Sequence, residues 1–85
     1  MGEVIVDLKI LPKSIEVDLD ELEKKIKEAI FPEKIEREPI AFGLVAIHAV
    51  KLVPDAEGQI DELERRLRRI DEVGEVEVTG ITRSL

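Results

Sequence analysis

The chain has 85 residues, of which 39% are charged and 44% hydrophobic, with a formal net charge of −7. This length and balance predict one globular domain over 1–85, with too little chain for a deep active-site pocket. The negative charge argues against direct nucleic-acid binding, which depends on neutralising phosphates with Lys and Arg. Cys is absent, which excludes disulfides and thiolate metal sites.

No apolar run approaches the roughly 20 residues of a membrane span. The amino-terminal stretch MGEVIVDLK lacks the features of a signal peptide. We therefore expect a cytoplasmic protein without a membrane partner. Trp, Tyr and Asn are missing while Glu, Lys and Arg are abundant, which indicates a thermophilic source.

The first half of the chain predicts a strand, a helix and a second strand. Alternating apolar residues indicate a strand over 3–10, which Pro12 ends. Asp18 is a good N-cap, with Glu21 three residues later, for a helix that Phe31-Pro32 closes. Its apolar stripe comprises Leu19, Leu22, Ile26, Ala29 and Ile30. The charged segment 33–39 predicts a short edge strand.

The second half predicts a strand, a helix and a last strand. Residues 43–54 are apolar on both faces, which favours the middle of a sheet. After a turn at 55–58, a second amphipathic helix has Ile60, Leu63, Leu67 and Ile70 on one side. Residues 75–83 form the final strand, with Val76 and Val78 inward and a bulge or bend near Gly80. The order β-α-β-β-α-β predicts an α+β ferredoxin-like sandwich, in which two helices cover one face of a four-stranded antiparallel sheet.

Charged and titratable residues offer no catalytic or metal site. The run RRLRR at 65–69 predicts a solvated helix face, with pairs Asp61–Arg65, Glu62–Arg66 and Glu64–Arg68, rather than an anion-binding patch. His48 is the only histidine, which favours a structural role or a role at a protein interface. Phosphate-binding glycine motifs are absent, so we expect no bound nucleotide or other cofactor and no enzyme activity.

Other functions of this fold lack their required residues. RNA recognition needs aromatic residues on the two central strands, and the predicted strands supply none. Copper chaperones of this fold need a C-x-x-C motif, and acylphosphatase-type enzymes rely on an asparagine that this chain does not have.

In the stretch EPIAFGLVAI, residues 38–47, Glu38-Pro39 is followed by eight uncharged residues that include Phe42. The stretches PIAFGLVAI and VEVTGITRSL together resemble the translation elongation factor 1-beta family, in its archaeal form. The resemblance covers the whole chain. It implies the same sandwich and a guanine-nucleotide exchange function, with the GTPase elongation factor 1-alpha as the partner.

The resemblance also implies which residues bind that partner. They are Pro39, Ala41, Phe42, Gly43, Thr82 and Arg83. The aromatic position, Phe42 here, docks in a pocket on the second domain of the GTPase. The basic position, Arg83 here, reaches toward the magnesium and phosphate region, where eukaryotic relatives carry Lys. Residues 39–43 are then expected to present Phe42 from a loop, although Phe42 could instead be an ordinary core or hairpin-packing residue.

The alternative function is a structural or regulatory module that dimerises through its open sheet face. Leu44, Ala46, His48 and Val50 share one face of the predicted strand and could supply that surface. In the exchange-factor interpretation, we expect the free chain to be a monomer.

Overall fold

A computed structural model describes residues 2–83, and it has six elements in the predicted order. The elements are β1 (Glu3–Pro12), α1 (Leu19–Ile30), β2 (Lys34–Ala41), β3 (Leu44–Pro54), α2 (Gln59–Arg68) and β4 (Val73–Arg83). The sheet order is β2-β3-β1-β4, and all neighbouring strands are antiparallel. The predicted ferredoxin-like α+β fold is confirmed, with β2 at an edge and β3 in the middle.

The core lies between the two helices and one face of the sheet. Alternation along β1 buries one side of that strand completely, since Val6, Leu8 and Ile10 are each 0% exposed. Burying a side chain of this size contributes about 1.5–3 kcal/mol. The helices complete the core with Leu22, Ile26, Ile30, Leu63 and Leu67.

Helix α1 begins and ends as its sequence predicts. The Asp18 carboxylate accepts hydrogen bonds from the backbone N–H groups of Asp20 at 3.0 Å and Glu21 at 3.2 Å. At the other end Phe31 takes a left-handed conformation, with φ 48°, and its N–H bonds to the Lys27 carbonyl. These contacts satisfy backbone groups that the helix leaves unpaired at its termini.

Helix α2 carries the predicted salt-bridged face, with one different pairing. Arg66 and Arg68 contact Glu62 and Glu64 as expected, whereas Arg65 contacts Glu62 at 2.6 Å rather than Asp61. Residues three and four apart are both neighbours on a helix, so spacing alone does not choose between them. Neither α1, with 12 residues, nor α2, with 10, is long and apolar enough to cross a membrane.

Strand β4 contains the predicted irregularity near Gly80. Gly80 pairs with Asp7 and Val78 pairs with Leu8, which leaves Thr79 as an extra residue. The Thr79 hydroxyl donates a hydrogen bond to the Asp7 carbonyl at 3.3 Å. A Cβ on Gly80 would lie 3.1 Å from an Asp7 carboxylate oxygen, so glycine suits this close approach.

Candidate functional site

A two-residue turn joins β2 to β3 at one end of the sheet. Ala41 pairs with Leu44, so Phe42 and Gly43 alone form the turn. Both residues have positive φ, 55° for Phe42 and 81° for Gly43, as the type I′ turn of tight hairpins requires. Pro39, at the end of the predicted edge strand, and Ala41, expected in the loop, both belong to β2. The loop is shorter than expected, Phe42–Gly43 alone, because the hairpin pairs almost to its tip.

Phe42 is exposed and its backbone is strained. Its side chain is 99% exposed, so the alternative role of Phe42 in the core or in hairpin packing is wrong. The first position of a type I′ turn favours Asn, Asp or Gly, and a left-handed conformation costs a bulky residue about 1–2 kcal/mol. Such strain without local packing points to a role outside folding.

Two further apolar side chains lie at the same end. Ile40 is an extra residue in the β2–β3 pairing and is 44% exposed. Ile15, in the β1–α1 loop, is 66% exposed, and its Cγ2 lies 3.8 Å from where a Cβ on Gly43 would be. Ile15, Ile40, Phe42 and Gly43 define what we call the turn-end surface.

The second predicted contact lies at the carboxyl end of β4. Arg83 pairs with Val4 in the sheet, and its Nη1 donates a hydrogen bond to Asp55 Oδ2 at 2.7 Å. The Arg83 side chain is 76% exposed. Thr82 pairs with Ile5, and successive side chains of a strand point to opposite faces, so Thr82 and Arg83 do not share a surface.

The structure places Phe42 and Arg83 at opposite ends of the sheet. The turn precedes Leu44, whereas Arg83 and Asp55 lie beside the far end of β3 at Pro54. Strand β3 has 11 residues between these points, which corresponds to about 30 Å. The six predicted residues therefore lie at two separate ends of a molecule whose longest dimension is 42 Å.

The open sheet face is mixed, with half-buried apolar residues such as Leu44 and Val50 beside polar and charged ones. His48 Nε2 lies 2.8 Å from Glu38 Oε1, and the hydrogen bond with His48 lowers the pKa of the Glu38 carboxyl. Ala46 is 0% exposed, and His48 lies in a cross-strand row with the charged residues Lys9 and Glu36. Large exposed hydrophobic residues of the described chain lie elsewhere, at Ile15, Phe31, Ile40, Phe42 and Ile81.

The described residues offer no obvious metal site. Within residues 2–83, no group of three or more His, Cys, Asp or Glu side chains could hold a metal ion. The surface depression along α2 is lined by the charged residues Asp61, Glu64, Arg65, Arg68 and Arg69. These are mostly the paired charges described above, which suits a solvated face.

Three residues of these surfaces were missed by sequence reasoning. Ile15 is an isolated apolar residue among polar ones, and a single exposed apolar residue is ordinary on a protein surface. Asp55 was assigned only to a turn. Ile40 does fall within the uncharged run 40–47, which was the one available signal.

Comparison with known proteins gives a consistent result. The family model of the EF-1 guanine nucleotide exchange domain matches residues 5–83. The chain is 46% identical to elongation factor 1-beta of Methanothermobacter thermautotrophicus, over 98% of each chain. It is 44% identical to elongation factor 1-beta of Pyrococcus abyssi over 89% of each chain, and 36% identical to that of Natronomonas pharaonis over 98% of this chain and 99% of the relative. The resemblance stated from the sequence is confirmed, and the chain belongs to the EF-1 guanine nucleotide exchange domain family.

Proposed function

We propose that this chain is a guanine-nucleotide exchange factor that promotes GDP release and GTP reloading of elongation factor 1-alpha. Membership of the exchange-domain family supports the activity and the partner. The observation that carries the proposal is Phe42, which is 99% exposed on a strained two-residue turn. A bulky aromatic side chain held in this way suits an anchor for a pocket on another protein.

Exchange by such a factor needs no catalytic group of its own. The factor binds the nucleotide-free GTPase more tightly than the nucleotide-bound GTPase, and by linkage it weakens GDP binding by the same ratio. Rebinding of the more abundant nucleotide then reloads the GTPase. This mechanism suits a small chain that acts through its surfaces.

Each end of the molecule has its own part in this proposal. Phe42 docks in a pocket on the second domain of the GTPase, supported by Pro39, Ala41 and Gly43. Arg83, next to Thr82, reaches the region of the magnesium ion and the GDP phosphates, where its charge competes with the ion for negative groups. Once Phe42 is docked, the Arg83 contact becomes intramolecular and its effective concentration rises.

The proposal also covers the oligomeric state, the location and the contacts of the free chain. The free chain is a monomer, contacts no nucleic acid directly, and acts in the cytoplasm beside the GTPase that carries aminoacyl-tRNA. The polar residues on the open sheet face support the monomer, because dimerisation there would bury charges. Sedimentation of the free chain at increasing concentration tests this point, and a stable dimer would contradict it.

The decisive experiment measures release of labelled GDP from purified elongation factor 1-alpha. Added in sub-stoichiometric amounts, the chain should accelerate release repeatedly, since an exchange factor turns over. Equilibrium binding of labelled GDP to the chain alone is the control, and we expect none. If both proteins are folded and release is not accelerated at any concentration, the proposal is wrong.

A further inference from the structure

An ion pair joins the last residue of β4 to the turn that follows β3. Arg83 Nη1 lies 2.7 Å from Asp55 Oδ2, although the two residues are 28 positions apart in the chain. The backbone of Asp55 is itself fixed, because its N–H donates to the Gly2 carbonyl at 2.9 Å. Among the residues that the structure describes, Asp55 is the only one whose carboxylate lies within 4.0 Å of Arg83.

We propose that Asp55 is a positioning residue, which orients the Arg83 guanidinium for its part in GDP release. This inference rests on the proposed exchange function. A free arginine side chain samples many rotamers, and a fixed carboxylate removes part of that freedom before the partner binds. Asp55 therefore presents Arg83 in one direction at the end of the sheet, so less ordering is needed in the complex.

The pair leaves Arg83 available to a partner. A guanidinium has five N–H donors in a rigid fork, and Asp55 engages one nitrogen, Nη1. The Arg83 side chain remains 76% exposed, against 36% for Asp55, so its outer side faces solvent. The guanidinium can thus bind Asp55 on one side and negative groups of the GTPase complex on the other.

This geometry explains why the basic residue is Arg rather than Lys. A lysine ammonium is a compact charge on a flexible stem, without a fork that separates two binding edges. Beside Asp55, a lysine ammonium would have no second fixed edge to direct away from the carboxylate. Asp55 and Arg83 therefore act as one unit in this chain.

The test compares GDP release with the parent chain, Asp55→Asn, Arg83→Ala and the double variant, at low and high magnesium. An exposed ion pair contributes about 0.2–1 kcal/mol, so Asp55→Asn should slow release by about 1.4- to fivefold. In the Arg83→Ala background, Asp55→Asn should have no further effect, because there is no guanidinium left to orient. The effect should grow with magnesium concentration, and Asp55→Glu should restore part of the rate.

Glu57→Gln is the matched control. It removes one negative charge from the same turn, and the structure shows no ion pair for Glu57 among the described residues. It should release GDP at the parental rate. A second measurement uses the free protein: the NMR signal of the Arg83 Nε–H should report a more ordered side chain in the parent than in Asp55→Asn.

The outcomes separate this inference from the proposed function. If the parent is active and Asp55→Asn releases GDP as fast or faster, the positioning role is wrong. It is also wrong if Asp55→Asn slows GDP release equally in the parent and in the Arg83→Ala background. An inactive parent overturns the exchange function, and the role of Asp55 in it, whatever the ordering of Arg83. Parental order at Arg83 in Asp55→Asn would also contradict the inference.

Discussion

The two ends of this small sheet differ in the groups that they expose. The turn-end surface is apolar, and its exposed aromatic stands on a two-residue turn with both φ angles positive. The carboxyl end also exposes Ile81, but it adds an exposed cation, Arg83, held by a carboxylate from another segment. Apolar burial supplies binding free energy, whereas a charge acts mainly on charged groups near it. The difference suits the proposal that docking and nucleotide release use separate ends.

A rigid sheet connects the two ends. The central strands β1 and β3 pair over the whole interval from Glu3–Pro54 to Ile10–Ile47. Leu8 and Ala49, which pair near the middle of this interval, are both 0% exposed, so the middle of this pairing is part of the core. Binding at one end therefore places the other about 30 Å away with little freedom.

Removing the aromatic anchor should give the largest effect. Truncation of an aromatic anchor in a desolvated pocket costs about 2–4 kcal/mol, so Phe42→Ala should weaken binding to the nucleotide-free GTPase by roughly 30-fold or more. The melting temperature should change little, because Phe42 is 99% exposed. Titration calorimetry and thermal denaturation measure the two quantities.

Phe31→Ala is the matched control for this variant. Phe31 is the other aromatic residue, 71% exposed with φ 48°, but it lies at the carboxyl end of α1 rather than on the turn-end surface. It should bind the GTPase as the parent does. If Phe42→Ala and Phe31→Ala lose equal affinity for the GTPase, the turn-end surface has no special part in docking.

Removing the cation should affect release more than binding. Arg83→Ala should keep most of the affinity for the nucleotide-free GTPase and slow GDP release by about tenfold to a hundredfold, if a charged hydrogen bond of about 1.5–3 kcal/mol is lost. The slowing should depend on magnesium, and Arg83→Lys should recover little if the planar fork is required. Arg69→Ala is the control, since Arg69 is an exposed cation on another surface. A parental rate for Arg83→Ala at low and high magnesium would exclude the carboxyl end from exchange.

Relaxing the strained turn should raise stability and lower function. Phe42→Asn places a favoured residue in the type I′ turn and should add about 1 kcal/mol to the free energy of unfolding. That corresponds to roughly 4–8 °C in melting temperature for a domain of this size. Gly43→Ala should instead lower the free energy of unfolding, because alanine is strained at the φ of 81° that Gly43 adopts. Crowding is not the cause, since the new Cβ would lie 3.8 Å from Ile15 Cγ2, an ordinary contact. A destabilised Phe42→Asn would show that the turn is not strained by Phe42.

The smallest effect concerns an ion pair near the other end of β4. Lys25 Nζ lies 2.6 Å from Glu72 Oε2, and this hydrogen bond lowers the pKa of the Glu72 carboxyl below its ordinary 4.5. A carboxyl group whose pKa is lower in the folded state than in the unfolded state stabilises the folded protein at pH values above its unfolded-state pKa. That contribution is lost as the pH falls through the folded-state pKa. Lys25→Gln should therefore reduce the loss of stability on acidification below about pH 4.5, measured by urea unfolding. Lys24→Gln is the control, and an identical acid response in Lys25→Gln would contradict the prediction.

Local patterns predicted much of this molecule because they depend on local physics. The apolar period of α1 and the Asp18 cap defined that helix, and the uninterrupted apolar run of β3 predicted its central place. Val76 and Val78 alternate along β4, and the apolar residue Ile81 falls out of that alternation after Gly80. This break predicted the bulge, since side chains alternate strictly along a strand. The family resemblance, rather than periodicity, pointed to Phe42 and Arg83 as candidate contacts.

The tertiary structure decided how these parts relate to one another. Strand register places Phe42 and Arg83 at opposite ends, and no spacing within one segment contains that information. The Asp55–Arg83 pair likewise depends on where the β3–α2 turn meets the end of β4. The strained backbone at Phe42 appeared only once the pairing of Ala41 with Leu44 left two residues for the turn. The sequence by itself determined the elements and their order, whereas contacts between distant segments were decided by packing, because they depend on the register of the whole sheet.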